Sequence, residues 1–87
     1  ILTKISFSRI NFAFLDGSHT YEDVMFEFNI ISRHQKKGDI IVFDDYNSKQ
    51  YPGIVKALDH IENQFGYSLI KLINSKINRG YVIASKL

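Results

Sequence analysis

The chain has 87 residues, 45% apolar and 23% charged, with a net charge of +2. That is enough for one small, marginally stable domain and argues against disorder, while basic and acidic residues so evenly interspersed give no case for a nucleic-acid partner. The absence of cysteine excludes disulfides and thiolate metal sites and fits a cytoplasmic protein; no apolar stretch approaches the roughly 20 residues of a membrane helix, and no signal peptide is visible.

The chain opens on Ile1 rather than Met, which hints at a piece of a longer protein, and Leu2 to Phe7 reads as a helix end or loop. Phe12-Ala13-Phe14-Leu15 is a continuous apolar run, the pattern of a strand buried on both faces of a parallel sheet. It stops at Asp16-Gly17-Ser18, a turn cluster. Thr20 then stands three residues before Asp23, the spacing of a capping box. Tyr21, Val24, Met25, Phe28 and Ile31 follow at helical spacing along one face, and Lys37-Gly38 is expected to close that helix. The basic cluster Arg33 to Lys37 reads as a solvated helix end that complements the helix dipole.

Ile40-Ile41-Val42-Phe43 is a second strand of the doubly buried kind, and it stops at Asp44-Asp45-Tyr46. A polar loop from Asn47 to Gln50 leads to Pro52, placed as for a helix start. Ile54, Leu58, Ile61 and Phe65 form the next stripe, which Gly66 ends. Leu69 to Ile73 and Tyr81 to Ala84 are strand-like, and the short connection Asn74 to Gly80 makes them an antiparallel pair. Strands alternating with helices, then two strands, predict an α/β fold: parallel strands, an antiparallel pair at the carboxyl terminus, and helices on the faces.

Both apolar runs end in aspartate, and ligands of open parallel sheets bind at the carboxyl ends of the strands. If the two strands are neighbours, roughly 5 Å apart, the carboxylates of Asp16, Asp44 and Asp45 converge. Like charges so close repel one another, and a divalent cation relieves the repulsion. Hard oxygen ligands suit Mg²⁺, Mn²⁺ or Ca²⁺. Such an ion would hold a substrate hydroxyl and make it a better nucleophile. The competing reading is that Asp16 and Asp44 only cap turns, as Asp often does. His19 is a candidate general base or metal ligand, or a polar residue of the loop that enters the helix. His34 and His60 read as surface residues on helices. Tyr21 and Tyr46 either line a pocket or pack.

DGSHTYEDVMFEF, KKGDIIVFDDY and YPGIVKALD together resemble the carboxyl-terminal half of class I S-adenosylmethionine-dependent methyltransferases. The similarity is greatest to small-molecule and sugar O-methyltransferases with an Asp-Gly-x-His-x-Tyr motif, and it runs from about Ile10 to the end of the chain. The resemblance implies a partial Rossmann-like sheet, with residues 1–87 a single partial domain. It implies divalent-metal ligands at Asp16, Asp44 and Asp45, and a catalytic pair in Asp16 and His19. Asp16 and Gly17 would lie against S-adenosylmethionine, and Glu27 falls where such proteins often carry an acidic residue. Ser18 stands where many members have a second Asp. No Gly-x-Gly-x-Gly loop occurs in the sequence, and in the family that loop belongs to the amino-terminal half, so the chain alone is expected to lack most of the cofactor site. Two other readings stay open. Ile40 to Asp45 also resembles a Walker B strand of a P-loop hydrolase, though no Gly-x-x-x-x-Gly-Lys loop accompanies it. A half-domain with exposed strand edges would also serve as a non-catalytic interaction module, or pair with a second copy of itself.

Overall fold

The computed structural model describes residues 9–16, 19–47, 50–74, 76 and 79–87. The expectations for Leu2 to Phe7, Gly17 and Ser18 fall outside the described residues, as do parts of the two loops, residues 48 and 49 and residues 75, 77 and 78. The element order is β1 (Phe12–Leu15), α1 (Tyr21–Ser32), β2 (Ile40–Phe43), α2 (Pro52–Gln64), β3 (Tyr67–Asn74) and β4 (Arg79–Lys86). They build one four-stranded sheet in the order β1-β2-β4-β3. β1 and β2 pair in parallel, and β4 runs antiparallel to both β2 and β3. The predicted mixed α/β architecture is the one observed. The last two strands are longer than their apolar runs suggest, because ladder pairing carries β3 and β4 outward from Leu69–Ile73 and Tyr81–Ala84 at both ends.

Both helix stripes fold inward as the spacing requires. Val24, Met25, Phe28 and Ile31 of α1 and Ile54, Ala57, Leu58 and Ile61 of α2 are buried. They meet Ile41, Phe43, Val82, Ala84 and Tyr67 in one core. The ladder register explains the choice: Ile41 lies opposite Ala84 and Phe43 opposite Val82, so these side chains share one face of the sheet. Phe28 sits at the centre, in edge-to-face contact with both Phe65 and Tyr67 at 5.2 Å between centroids. Truncating such a buried ring to Ala costs about 3–5 kcal/mol.

Two expectations need correction. Helix α1 ends at Ser32, six residues before Gly38. Gly38 does adopt a left-handed φ of 92°, but in the turn that feeds β2. The basic cluster therefore lies beyond the last helical turn, and the cation that caps the helix comes from elsewhere: Lys86 Nζ donates to the carbonyls of Ser32 and Gln35 at 3.3 and 3.0 Å. The second correction concerns the sheet faces. The expected helices are present, but both cover the same face. β1 is half-exposed rather than doubly buried, and its Phe12 and Phe14 remain 62% and 50% exposed. At the far end of α2 the expectation holds, with Gly66 at φ 71° ending the helix.

Candidate active site at the strand ends

The parallel pairing of β1 with β2 aligns Leu15 with Phe43, so the residues that follow each strand emerge at one rim. The ladder continues one step further, the amide of Asp44 donating to the carbonyl of Leu15 at 3.0 Å. Asp16, Asp44 and Asp45 each present a carboxylate oxygen there, and these atoms all lie within 4.8 Å of one another. This is the convergence the sequence predicts. Oxygens on opposite sides of a Mg²⁺ ion stand about 4.2 Å apart, and those around Ca²⁺ about 5 Å. The upper bound here, 4.8 Å, falls between the two. The donor set, all oxygen and formally trianionic, is of the kind that a hard divalent cation takes. Asp16 is exposed, while Asp44 and Asp45 are half-buried.

Local backbone geometry brings the adjacent pair together. Successive side chains of an extended strand point to opposite faces, so two consecutive aspartates would normally diverge. Asp45 instead has φ 61°, a left-handed conformation that Asp tolerates better than most residues. Its amide donates to Asp44 Oδ1 at 2.7 Å. One residue later the amide of Tyr46 donates to the Gly80 carbonyl at 3.1 Å and returns the chain to the sheet. Gly80 is required at that point: a Cβ there would meet the Tyr46 carbonyl at 2.8 Å.

His19 reaches the same rim from the loop before α1. Its Nε2 is 2.9 Å from Asp45 Oδ2. A carboxylate only accepts, so in this contact Nε2 is the donor, and Nδ1 is the ring nitrogen not engaged by Asp45. The next element is anchored close by. Thr20 Oγ1 accepts the amide of Asp23 at 3.1 Å, the forward half of the expected capping box, and fixes where α1 begins.

The structure separates the remaining candidates. Glu27 sits half-buried on α1 and is not one of the three converging carboxylates. The Tyr21 hydroxyl and His60 Nδ1 are 2.7 Å apart, and His60 packs edge-on against Phe65, so both are packing residues between the helices rather than pocket or free surface groups. His34 lies half-buried in the turn after α1. Tyr46 stands below the Lys71 ammonium, 5.6 Å from its ring centroid. The sequence reading missed Tyr51, whose ring stacks on the His19 imidazole at 3.9 Å with an interplanar angle of 9°. Its signal was position: it immediately precedes Pro52, and a helix that follows β2 must start at the rim where β2 ends. A cleft of about 600 Å³ lies elsewhere, along the free edge of β1, lined by Ile10, Phe12, Ala13, Phe14, Leu15 and Ile31. None of the three aspartates lines it, and it is better understood as an unpaired strand edge than as the seat of the chemistry.

A mixed α/β sheet whose two parallel strands end at an acidic rim has the arrangement of a Rossmann-like domain with an antiparallel edge. The profile of a family described as "Methyltransferase domain" matches residues 2–46, just over half of the sequence, and the chain belongs to that family. The O-methyltransferase from Bacillus cereus, solved in complex with SAH, superposes with a TM-score of 0.71 at 17% identity, over 99% of this chain and 44% of that one. At that identity the likeness is one of fold, and the fold is that of a methyltransferase Rossmann-like domain. The uncharacterized protein R132 of Acanthamoeba polyphaga mimivirus is 38% identical over 53 residues, 60% of this chain and 24% of its own. The chain thus spans less than half of the structural relative and about a quarter of the viral one. With the family known, the segment from Ile40 to Asp45 belongs to a methyltransferase domain, and the P-loop hydrolase reading falls away. Among the described residues no helix is long and apolar enough to cross a membrane.

Proposed function

We propose that the chain forms part of a cytoplasmic S-adenosylmethionine-dependent O-methyltransferase that uses a divalent cation and acts on a small-molecule or sugar hydroxyl. One observation carries the reading: three carboxylates from two parallel strand ends converge within 4.8 Å on a fold shared with an O-methyltransferase. S-adenosylmethionine would supply the methyl group, and the cation would hold the acceptor hydroxyl and lower its pKa. Asp16, Asp44 and Asp45 hold the ion. His19, with Nε2 committed to Asp45, offers Nδ1 to take the hydroxyl proton as the oxygen is methylated. Asp16 would also lie near the methyl donor; Gly17, the other residue expected there, lies outside the described residues. The sequence carries no Gly-x-Gly-x-Gly loop, so these residues supply the acceptor side of the reaction and little of the cofactor's own seat.

The test is calorimetric titration of Mg²⁺ or Mn²⁺ into the chain and into the double variant Asp44→Asn, Asp45→Asn. Binding by the native chain, reduced at least tenfold in the variant, is expected, since two of three ligands lose their charge. Equal heats from the two proteins would overturn the cation site.

A further inference from the structure

We propose that Tyr51 is a positioning residue of this site: its ring sets the plane of the His19 imidazole, and through His19 the direction of the Asp45 carboxylate. The inference rests on the cation-site reading above. His19 comes from a loop and its side chain is 37% exposed, so left alone it would sample several rotamers. Two contacts remove that freedom in complementary ways. The hydrogen bond to Asp45 fixes where Nε2 points. The stack on Tyr51, at 3.9 Å and 9°, fixes the ring plane, which a single hydrogen bond leaves free to turn. Ligand carboxylates need such outer partners to hold their orientation, and Asp45 has one in His19.

Tyr51 is itself held by the chain on both sides. Its amide donates to the Asn47 carbonyl at 2.8 Å, and Pro52 starts α2 immediately after it. One residue further, Gly53 lies against the segment that carries His19: a Cβ there would stand 2.7 Å from the Tyr21 amide nitrogen and 3.1 Å from the His19 carbonyl oxygen. The first turn of α2 is therefore seated directly on the backbone of residues 19–21. Glycine permits that approach, and the approach delivers the Tyr51 ring to the His19 ring. Nothing in the argument uses the Tyr51 hydroxyl; the aromatic face is what matters.

The experiment reads the His19 ring protons by NMR at one fixed pH in the full chain, assigned against a His19→Gln variant, and in parallel the Mn²⁺ affinity by calorimetry. Stacking should move the His19 signals upfield in the native protein. Tyr51→Phe should keep that shift and the native affinity. Tyr51→Leu should lose the shift and bind Mn²⁺ about tenfold more weakly, the loss typical of an outer-shell partner. Native His19 signals at ordinary positions would overturn the proposal, as would a folded Tyr51→Leu protein with unchanged His19 signals or undiminished affinity. Should Tyr51→Leu not fold, Tyr51→Phe decides: weakened binding in the folded Phe variant would assign the role to the hydroxyl and overturn the stack. A native protein that binds no Mn²⁺ sinks the cation site instead, and the NMR shifts still test the positioning of His19.

Discussion

Asp39 and Asp45 are both aspartates at the ends of β2, and their surroundings give them opposite tasks. Asp45, at the carboxyl end, is half-buried and turned toward the rim. Asp39, at the amino end, is 3% exposed and fully engaged. The Arg9 guanidinium reaches it with Nη2 at 2.6 Å and Nε at 3.0 Å, and the amide of Lys36 adds a third bond at 2.7 Å. The bonds from Arg9 first, then the one from Lys36, hold its carboxyl down at about 2 against an ordinary 3.8. A carboxyl lowered in the folded state adds stability that is complete above the unfolded value and disappears as the pH falls toward the folded one. Asp39→Asn should therefore lower stability at neutral pH and flatten its decline between about pH 4 and pH 2. Urea midpoints across that interval give the check; curves that fall in parallel for both proteins would show that Asp39 does not drive the acid response.

At the scale of elements, the turn from α1 to β2 is held by a side-chain chain that runs to β3. Gln35, 5% exposed, gives its Nε2 to the Ile40 carbonyl at 3.1 Å and accepts the Tyr67 hydroxyl on Oε1 at 2.6 Å. No buried side-chain nitrogen or oxygen among the described residues lacks a partner, so deletion of one member leaves a vacancy in a saturated network. Tyr67→Phe should cost about 1–3 kcal/mol, the range for a buried polar group stripped of its partner, and a urea melt reads it directly; a change of a few tenths would mean that the Gln35 amide finds another donor. Burial pushes the Tyr67 hydroxyl up to about 12 from 10.0, so its contribution is intact below pH 10 and fades as the pH rises through 12. Very little of this network was legible in the sequence. Helix stripes and apolar strand runs are local patterns, and both helices and all four strands could be read from them, as could the acidic rim, because a parallel pair must bring its carboxyl ends together. The end of α1, the role of Lys86 and the bond between Gln35 and Tyr67 depend on residues 32 to 54 positions apart meeting through the sheet register, which no local period encodes. The stack of Tyr51 on His19 was hidden for the same reason.

For the whole molecule, the decisive feature is a sheet with one covered face. The register carries an apolar band across the other: Phe12 beside Ile40, Phe14 beside Val42, Val42 beside Ile83, Ile83 beside Ile70, and Tyr81 beside Leu72. Ile70, Leu72 and Tyr81 are 58%, 52% and 41% exposed. β1, with apolar side chains on both faces, pairs only with β2 among the described residues, and its other edge borders the open cleft. A run that is apolar on both faces belongs in a sheet covered on both. Such a surface, continuous with an unpaired edge, is a template for another chain. The chain should therefore self-associate, and a twofold dimer through the β1 edges is the simplest closed arrangement. Association stabilises the folded chain by mass action, about 2.7 kcal/mol when the partner is present at 100 times its dissociation constant. Sedimentation over a range of concentrations should show growth in mass, and the melting temperature should rise with concentration. Phe14→Lys places a charge on the open face beside that edge without touching the core, and should shift both measurements toward monomer. A native chain that stays monomeric with a concentration-independent melt would mean that the band across β1 to β3 needs no cover.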